Sequence, residues 1–420
     1  LTGASRWSSC DRFRDCNSAI ASPDISVNRS QTPTRPAILA CMLAGMCTFL
    51  NVYCTQPLLP YLQRLYNSSV IGISLTVSST ILAVALMAPI VGLMAESIGR
   101  KKVIVPSLYA LTVPTLLAAT SQSLHALIFW RFMQGFFVPG VIVVMMAYIN
   151  EEFDASYVGR AMSAYVTGTV LGGFLGRYIS GLVAHHFDWR GSFLAIGILN
   201  LGGAIVVQRA LPKARNFVRS ASVRKSIVEG WDHLRNPRLL AVFGMGFAAL
   251  FCLVGVFTYV NFYLAAPPFH LNSAQLGSVF CVYLLGLIVT PLSGRFLDHH
   301  GIRHTALLAF GFALIGLALT LIRNLPLIIA GLALFSSGIF IFQAVGTVQT
   351  GVAAQRARSS AAGLYVTFYY IGGSLGAMVT GWTWLAGGWQ ACVFLLMGVS
   401  GLAVLLAHRG SRGDASAYCG

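Results

Sequence analysis

A chain of 420 residues in which 56% are hydrophobic and only 10% are charged cannot hide its apolar surface in one or two water-soluble cores, because soluble domains carry about 25% charged residues. The mean hydropathy of +0.74 indicates that lipid is the solvent for most of the chain. A formal net charge of +16 would suggest nucleic acid if the basic residues shared one polar domain. They lie instead in short gaps between apolar runs, so no nucleic-acid partner is expected.

The chain begins with a polar, proline-containing stretch at 1–36, which we interpret as a disordered cytoplasmic tail. A membrane-spanning helix needs about 20 mostly apolar residues. We place twelve such runs at 37–60, 70–94, 103–121, 124–149, 160–184, 190–211, 239–265, 273–297, 304–322, 325–350, 360–384 and 388–408. Their continuity and length exclude barrel strands. The predicted fold class is an all-α membrane protein.

The runs divide six and six around a polar, basic segment. We predict an N-terminal six-helix bundle at 37–211, a cytoplasmic linker at 212–238, a C-terminal six-helix bundle at 239–408 and a cytoplasmic tail at 409–420. The nine cysteines show none of the paired spacings of metal or haem sites, so we interpret them as small core residues and expect no metal.

The basic residues orient the helices, because Lys and Arg collect on the cytoplasmic side of membrane proteins. With the N-terminus inside, the loops on the opposite side hold only Arg64, Arg190 and Arg323 of the 28 basic residues. Arg131 and Arg177 lie within helices, and all the others lie in the tails and the inner loops. Both termini are therefore predicted to be cytoplasmic.

The strongest pattern in the sequence is an internal repeat. Residues 45–57 and 255–267 share Gly, Thr, Asn, Tyr and Pro at a constant offset of 210. Two further segment pairs repeat in the same order, 89–99 with 291–301 and 172–189 with 372–389. A duplicated unit of this kind places its binding site between the halves near the middle of the bilayer. We therefore expect the substrate path to run between the two halves.

A motif rich in glycine and charge closes the second run. It reads Gly92-Leu93-Met94-Ala95-Glu96-Ser97-Ile98-Gly99-Arg100-Lys101-Lys102, and its repeat partner keeps Gly294, Asp298, Gly301 and Arg303. We expect Gly92 to allow a close helix contact and Gly99 to form a tight turn. Glu96 can pair with basic residues or with a helix N-terminus, while Arg100 and Lys101 lie among lipid headgroups. We interpret both copies as a cytoplasmic gate; a plain basic turn is the alternative.

Two arginines lie inside predicted helices. Arg131 starts the motif Arg131-x-x-Gln134-Gly135 about a turn and a half from the outer end of its run, so its side chain can reach the lipid interface. Arg177 lies near the middle of the fifth run, where a charge is costly and usually faces a cavity. The glycines predicted to allow close helix packing are Gly168, Gly172, Gly173, Gly176, Gly372, Gly373 and Gly376.

These motifs resemble those of the major facilitator superfamily. The segment 92–102 is similar to the family's signature between helices 2 and 3, and the Arg131 motif is similar to its helix 4 motif, in which the arginine is associated with proton coupling. The stretch Tyr53-Cys54-x-Gln56-Pro57 and the pair Gly176-Arg177 resemble the bacterial drug- and sugar-efflux-like permeases, in particular the YnfM-like branch. Gly173 stands where the family's antiporter signature has proline, which weakens the inference of antiport.

The resemblance implies a secondary active transporter of the bacterial inner membrane that exports a small organic solute by rocker-switch alternating access. Its implied partners are a small-molecule substrate, the lipid bilayer and protons, and a monomer is expected. Helices 1, 4, 7 and 10 line the cavity in this family, which implies substrate contacts at Asn51, Tyr53, Gln56, Asn261, Tyr263 and Gln343. Helix capping and an interfacial aromatic belt are the alternatives for these residues.

The twelve acidic residues all lie outside the middle of the predicted spans. Proton-driven transporters commonly titrate a buried carboxylate whose pKa is raised by desolvation, and this chain offers none at that depth. The charge available to a substrate is positive, which favours anionic or carboxylate-bearing solutes over cationic drugs. Proton coupling would then use Glu96, Glu151, His125 or His185, or a proton carried by the substrate.

Three alternatives stay open on the sequence. The same fold can work as a facilitator or importer of an organic anion, or as a membrane sensor that transports nothing. A membrane-embedded enzyme would need a clustered constellation, and the sequence offers only His185-His186 near Asp188 and His299-His300 beside Asp298, which are typical of solvated turns. Without a nucleotide-binding motif or a cofactor motif, we expect no enzyme and no cofactor.

Overall fold

A computed structural model describes residues 33–214, 232–354 and 358–410, and the regular structure in these ranges is helical. We number the helices α1 to α12 in chain order. They are α1 Arg35–Leu65, α2 Val70–Ile98, α3 Lys101–Ala118, α4 Leu124–Glu152, α5 Ala155–His186, α6 Trp189–Ala210, α7 Pro237–Ala265, α8 273–300, α9 302–319, α10 Leu325–Ala353, α11 358–386 and α12 389–410. Most of the predicted tails and of the predicted linker lies outside the described residues. α1 already begins at Arg35, inside the stretch 1–36 predicted to be a disordered tail.

The twelve helices match the twelve predicted runs, and the all-α membrane fold is confirmed. By length and hydropathy, eight helical stretches of the described residues are able to cross a membrane. Two of these stretches, Ser273–Leu319 and Ser360–Arg409, turn back at Gly301 and at Gly387–Gly388, so each comprises two helices. The remaining helices, α3 and α5, pack along α6 and α1 and so run through the same layer.

Glycine makes three of the sharpest turns. Gly99 between α2 and α3, Gly301 between α8 and α9, and Gly388 between α11 and α12 all have positive φ, at 105°, 73° and 60°. A side chain with a Cβ rarely adopts this backbone conformation. Gly99 and Gly301 are repeat partners, so the same turn occurs at the same place in each half.

The first helix is broken at its centre. α1 is helical to Val52, passes through a turn and continues as a 3₁₀ segment, Gln56–Leu58, before the helix resumes. Pro57 lacks the N–H that would bond to the carbonyl of Tyr53, and that carbonyl accepts instead from Gln56 N at 3.1 Å. The break leaves backbone carbonyls of α1 without helical partners inside the membrane layer.

Glycine seams join equivalent helices within each half. A Cβ on Gly168, Gly172 or Gly176 of α5 would overlap the backbone of α1 at Met42, Met46 or Leu50 respectively. In the second half, Gly372 and Gly376 of α11 lie in the same way against Phe247 and Phe251 of α7. Small residues allow backbones to approach this closely, which is how helices associate when lipid supplies no hydrophobic driving force.

The two halves touch each other on one side of the layer. We call the face with the first residue of α1 and the last residue of α12 the terminal face, and the opposite face the distal face. Every hydrogen bond between the halves in the described ranges lies in the distal part of the helices or near their middle. Ser78 and Ser374, with their oxygens 2.9 Å apart, join α2 to α11. The structure is therefore closed towards the distal face.

The glycine seam of the first half predicts a stability contrast within α5. Gly172→Ala should destabilise the protein by about 3 kcal/mol, because the new Cβ would overlap the carbonyl oxygen of Met46. Gly159→Ala should leave stability unchanged or raise it by up to about 1 kcal/mol, since nothing lies within 4 Å of its Cβ and alanine favours the helix. Thermal unfolding of the two detergent-solubilised variants measures the difference, and equal effects would contradict the seam.

Candidate functional site

Arg177 lies between the two halves at the inner end of the distal closure. Its side chain comes from α5 and is 1% exposed. The guanidinium carbon is 4.5 Å from the ring centroid of Tyr53, 4.6 Å from that of Phe280 and 4.5 Å from that of Tyr283. Cation–π contacts act within about 6 Å and strengthen when water is excluded. Rings from both halves thus surround a cation from the first half.

The local geometry of α8 explains how two of these rings meet the cation. Residues Phe280–Leu285 form a 3₁₀ segment inside α8. Side chains three residues apart eclipse in a 3₁₀ helix, so Phe280 and Tyr283 lie on one face. In a regular α-helix the two positions would still be neighbours but about 60° apart around the axis. Neither residue was predicted from the sequence, because aromatic residues in an apolar run resemble lipid-facing ones. Their spacing of three residues is the signal that could have identified them.

A hydrogen-bond chain connects Arg177 across the halves. Arg177 Nε donates to Gln56 Oε1 at 2.7 Å, and Gln56 Nε2 donates to Thr258 Oγ1 of α7 at 3.2 Å. Arg177 Nη1 also donates to the carbonyl of Gly173 at 2.5 Å. Gln56 is fully buried, so both ends of its amide are satisfied by these partners. Two predicted contacts, Tyr53 and Gln56, therefore meet at Arg177.

Tyrosines extend this site towards the second half. Tyr369 of α11 lies in the same region as Tyr53 and Tyr283, and its ring makes an edge contact with Tyr370 at 5.4 Å. The hydroxyls of these four tyrosines make no hydrogen bond to any residue in the described ranges, yet each keeps some solvent-accessible surface. We define Arg177, Tyr53, Tyr283, Tyr369 and Tyr370 as the central site. Its hydroxyls remain available to a ligand.

Arg131 is buried for a different reason. Its guanidinium is fully buried and donates to the carbonyls of Asn51 at 2.7 Å, Val52 at 2.5 Å and Thr76 at 3.0 Å, and to the side chain of Gln134. Its side chain does not reach the lipid interface, because the carbonyls released by the break in α1 hold it inside the first half. Ser180 adds a bond to the carbonyl of Cys54 at 2.5 Å.

Three other predicted cavity residues, Asn51, Asn261 and Tyr263, lie away from the central site, and the role of Gln343 stays a prediction. Asn51 is fully buried inside the first half, where it bonds to Asn200 at 3.2 Å and Thr115 at 2.6 Å. Asn261 bonds to its own helix at the carbonyl of Phe257. Tyr263 lies at the distal end of α7, where its ring stacks on Trp389 at 5.5 Å, and Gln343 is half-buried on α10. This placement favours packing roles for Asn51, Asn261 and Tyr263.

The glycine-and-charge motif lies on the terminal face. Arg100 pairs with Glu151 at the end of α4, with N–O distances of 3.0 and 2.7 Å, and Lys101 donates to the carbonyls of Gln208 and Leu211. The side chain of Glu96, which we expected in this role, lies outside the described residues. A Cβ on Gly92 would lie 3.8 Å from Val143, an ordinary contact.

The repeat copy of this motif is more exposed. Asp298 and Arg303 are exposed, and nothing lies within 4 Å of a Cβ placed on Gly294. Among the described residues, Asp298 forms no ion pair. The two copies share the glycine turn at Gly99 and Gly301, and the gate role of the second copy stays a prediction.

Two further predicted glycines, Gly173 and Gly373, lie near side chains at the boundary between the halves. A Cβ on Gly173 would lie 3.4 Å from Arg177 Nη1, and one on Gly373 would lie 3.3 Å from Ile81 of α2. Both glycines thus face the boundary between the halves.

Within the described ranges, no group of three or more His, Cys, Asp and Glu side chains is able to hold a metal ion.

Comparison with known proteins decides the family. A model of the Major Facilitator Superfamily matches residues 41–267 and 264–414. The chain belongs to this superfamily. The inner membrane transport protein YnfM of Escherichia coli (strain K12) is 33% identical, covering 93% of this chain and 95% of that protein. The uncharacterized MFS-type transporter YybF of Bacillus subtilis (strain 168) is 30% identical, covering 88% and 92%.

Solved structures agree in fold. A bacterial homologue of the human lysosomal transporter Spinster, inward-facing and unoccupied, superposes with a TM-score of 0.73 at 13% identity, covering 90% of this chain and 97% of that chain. The human organic anion transporter MFSD10 gives 0.69 at 18% identity, covering 90% and 100%. At these identities the likeness shows the fold alone. The chain is thus a multi-pass membrane transporter of the YnfM-like branch, in a superfamily of transporters rather than enzymes.

The different surroundings of the two buried arginines predict effects of different size on stability. Arg131→Met should cost about 3 kcal/mol, because it leaves buried carbonyls of α1 and α2 without donors. Arg177→Met should change stability by about 1 kcal/mol or less, because it removes a desolvated cation that no described carboxylate neutralises. Unfolding in detergent measures both values. Equal destabilisation would show that Arg177 is also a structural brace.

Proposed function

We propose that the protein is a secondary active transporter that exports a small anionic organic solute by rocker-switch alternating access, with Arg177 as the contact for the solute's negative charge. The observation that supports the proposal most directly is that no described carboxylate pairs with this cation. Arg177 is buried at the boundary of the halves, and within the described ranges neither ion pair involves it. A buried charge without a counter-ion is costly, and within a membrane such a charge marks a functional site.

The competing cation, Arg131, is a poor substrate contact. A guanidinium has five N–H donors, and Arg131 uses donors on all three nitrogens for Thr76, Asn51, Val52 and Gln134. The described bonds of Arg177 use only Nε and one donor of Nη1. Arg177 therefore retains donors for a ligand, and Arg131 is committed to holding α1.

The pattern of contacts between the halves supports alternating access. The hydrogen bonds that join a described residue of one half to a described residue of the other lie in the distal part of the layer or near its middle. Such a structure admits a solute from the terminal face, which the basic loops identify as the cytoplasmic face in our proposal. Entry from the cytoplasm followed by distal opening is export. Localisation in the bacterial inner membrane is supported by the similarity to YnfM, an inner membrane transport protein of Escherichia coli.

Energy must come from a gradient in this proposal, because the sequence contains no nucleotide-binding motif. Proton coupling is part of the proposal. No described acidic residue lies at the depth of Arg177, so the proton travels on the solute or uses a group near a membrane face, such as Glu151, which pairs with Arg100. A facilitator or importer of the same solute would use the same central site with a different coupling.

Transport in liposomes tests the proposal. Organic anions and cationic drugs are each assayed with and without an imposed pH gradient, on the wild type, Arg177→Gln and the control Arg190→Gln. Arg177→Gln should lower anion flux 10- to 100-fold, because charge-assisted hydrogen bonds contribute about 1.5–3 kcal/mol. Arg190→Gln should have no effect, since that side chain is 44% exposed in a surface pair with Asp188.

Several results would overturn parts of this proposal. Cationic flux that does not change in Arg177→Gln would contradict the charge argument. Anion flux that ignores the pH gradient would remove proton coupling, and uptake from the distal side would reverse the direction. If no solute moves while a ligand changes association with a partner protein, the sensor hypothesis is supported.

The proposed topology predicts which residues share a compartment. In a background without native cysteines, Lys101→Cys and Lys213→Cys should react with a membrane-impermeant maleimide only after the cytoplasmic side is exposed, because both lie on the terminal face. Phe187→Cys, on an exposed distal residue, should react from outside. Labelling of Lys101→Cys and Lys213→Cys from opposite sides would contradict the twelve-helix topology.

A further inference from the structure

The aromatic enclosure of Arg177 restricts the direction from which a ligand approaches. Three rings lie 4.5–4.6 Å from the guanidinium carbon. Gln56 occupies the Nε donor, and the carbonyl of Gly173 occupies one donor of Nη1. The donors without a described partner belong to the Nη end of the guanidinium. A ligand therefore meets this end of the planar group rather than all of its surface.

The shape and charge of that free end favour a carboxylate. Two parallel N–H donors match the two oxygens of a planar carboxylate in a bidentate pair. One negative charge neutralises Arg177. The second charge of a dianion would need another cation with free donors. The other buried guanidinium, Arg131, already uses its donors for carbonyls of α1 and α2. The site therefore favours a monocarboxylate over a phosphate ester or a dicarboxylate.

The aromatic side chains of the central site favour a ligand with a flat aromatic ring. Tyr53 of α1 and Tyr283 of α8 lie against Arg177, and Tyr369 and Tyr370 of α11 contact each other in the same region. Aromatic rings gain from stacked and edge contacts with another ring beyond the area they bury. The four hydroxyls without described partners can also bond to polar substituents on such a ring. A saturated body of the same charge would gain only the burial of its area.

We propose, resting on the proposed function, that the transported solute is a planar aromatic monocarboxylate. Its carboxylate pairs with the Nη end of Arg177, and its ring lies against the tyrosines of the central site. Tyr369 separates the two parts of this proposal, because it contacts Tyr365 and Tyr370 rather than the guanidinium. Replacing it should change recognition of the ring and leave recognition of the charge.

Binding of matched probes to the purified full chain in detergent tests this proposal. The probe is 2-naphthoate, followed by its fluorescence anisotropy. The competitors are decahydro-2-naphthoate, which has the same charge without an aromatic ring, and 2-naphthamide, which has the ring without the charge. The wild type should bind 2-naphthoate at least 10-fold more tightly than the saturated acid, and 2-naphthamide should not compete.

Variants assign these preferences to residues. Tyr369→Leu should lower the affinity for 2-naphthoate at least 5-fold and change that for decahydro-2-naphthoate less than 2-fold, while Tyr369→Phe should keep the aromatic preference. Arg177→Gln should weaken both acids together. Phe187→Leu, on an 85% exposed ring of the distal face, is the aromatic control and should change neither.

The outcomes separate this inference from the proposed function. If the two acids bind equally and Arg177→Gln weakens both, the organic-anion function stands and the aromatic class is wrong. If Tyr369→Leu weakens both acids equally while the variant unfolds at the wild-type temperature, the tyrosine does not select the ring and the inference fails. If neither acid binds, but an unrelated anion is transported in an Arg177-dependent manner, the class is again wrong. Acid binding that ignores Arg177→Gln would contradict both proposals.

Discussion

The break in α1 is the constraint on which the rest of the first half depends. Pro57 interrupts a helix inside the membrane layer, and carbonyls freed there have no water to bond with. Arg131 and Ser180 supply the missing donors at Asn51, Val52 and Cys54. The turn they stabilise carries Tyr53 and Gln56 to the boundary of the halves, where both meet Arg177. The break in α1 is therefore bound by one buried arginine, Arg131, and carries two contacts of the other, Arg177, to the boundary.

The duplicated architecture becomes asymmetric at this site. Both halves use the same glycine seams, α5 on α1 and α11 on α7. However, α7 ends at Ala265, before Pro267, whereas α1 continues beyond Pro57 to Leu65. The repeat partner of Arg177 is Ala377, which is fully buried. The first half therefore supplies the charge and the second supplies most of the aromatic rings, so the central site requires both halves.

The sequence could predict the helices and their repeat, because apolar length and glycine spacing are local properties. It also identified Gly99 and Gly301 as turns, and Arg177 as a charge at a costly depth. It could not predict the role of Arg131, which depends on carbonyls of another helix. Phe280 and Tyr283 escaped because their alignment comes from a 3₁₀ segment that apolar composition does not reveal. Similarly, only the packing of α4 against the turn after α2 shows that Glu151 is the partner of Arg100.

Close backbone packing occurs both in the seams within each half and at the distal closure between the halves, and this distribution bears on switching. Within each half, backbones approach so closely that added methyl groups would overlap them, and close-packed interiors do not deform gradually. Between the halves, the described hydrogen bonds are few and include Ser78–Ser374, Gln56–Thr258 and Tyr259–Ser74. Each such bond contributes about 1 kcal/mol, and in our proposal an anion paired with Arg177 offsets their loss by its own charge-assisted bonds. Distal opening must also separate α5 from α8, where a Cβ on Gly181 would overlap the carbonyl oxygen of Ser273. The proposed exchange of closures therefore breaks close backbone packing as well as hydrogen bonds.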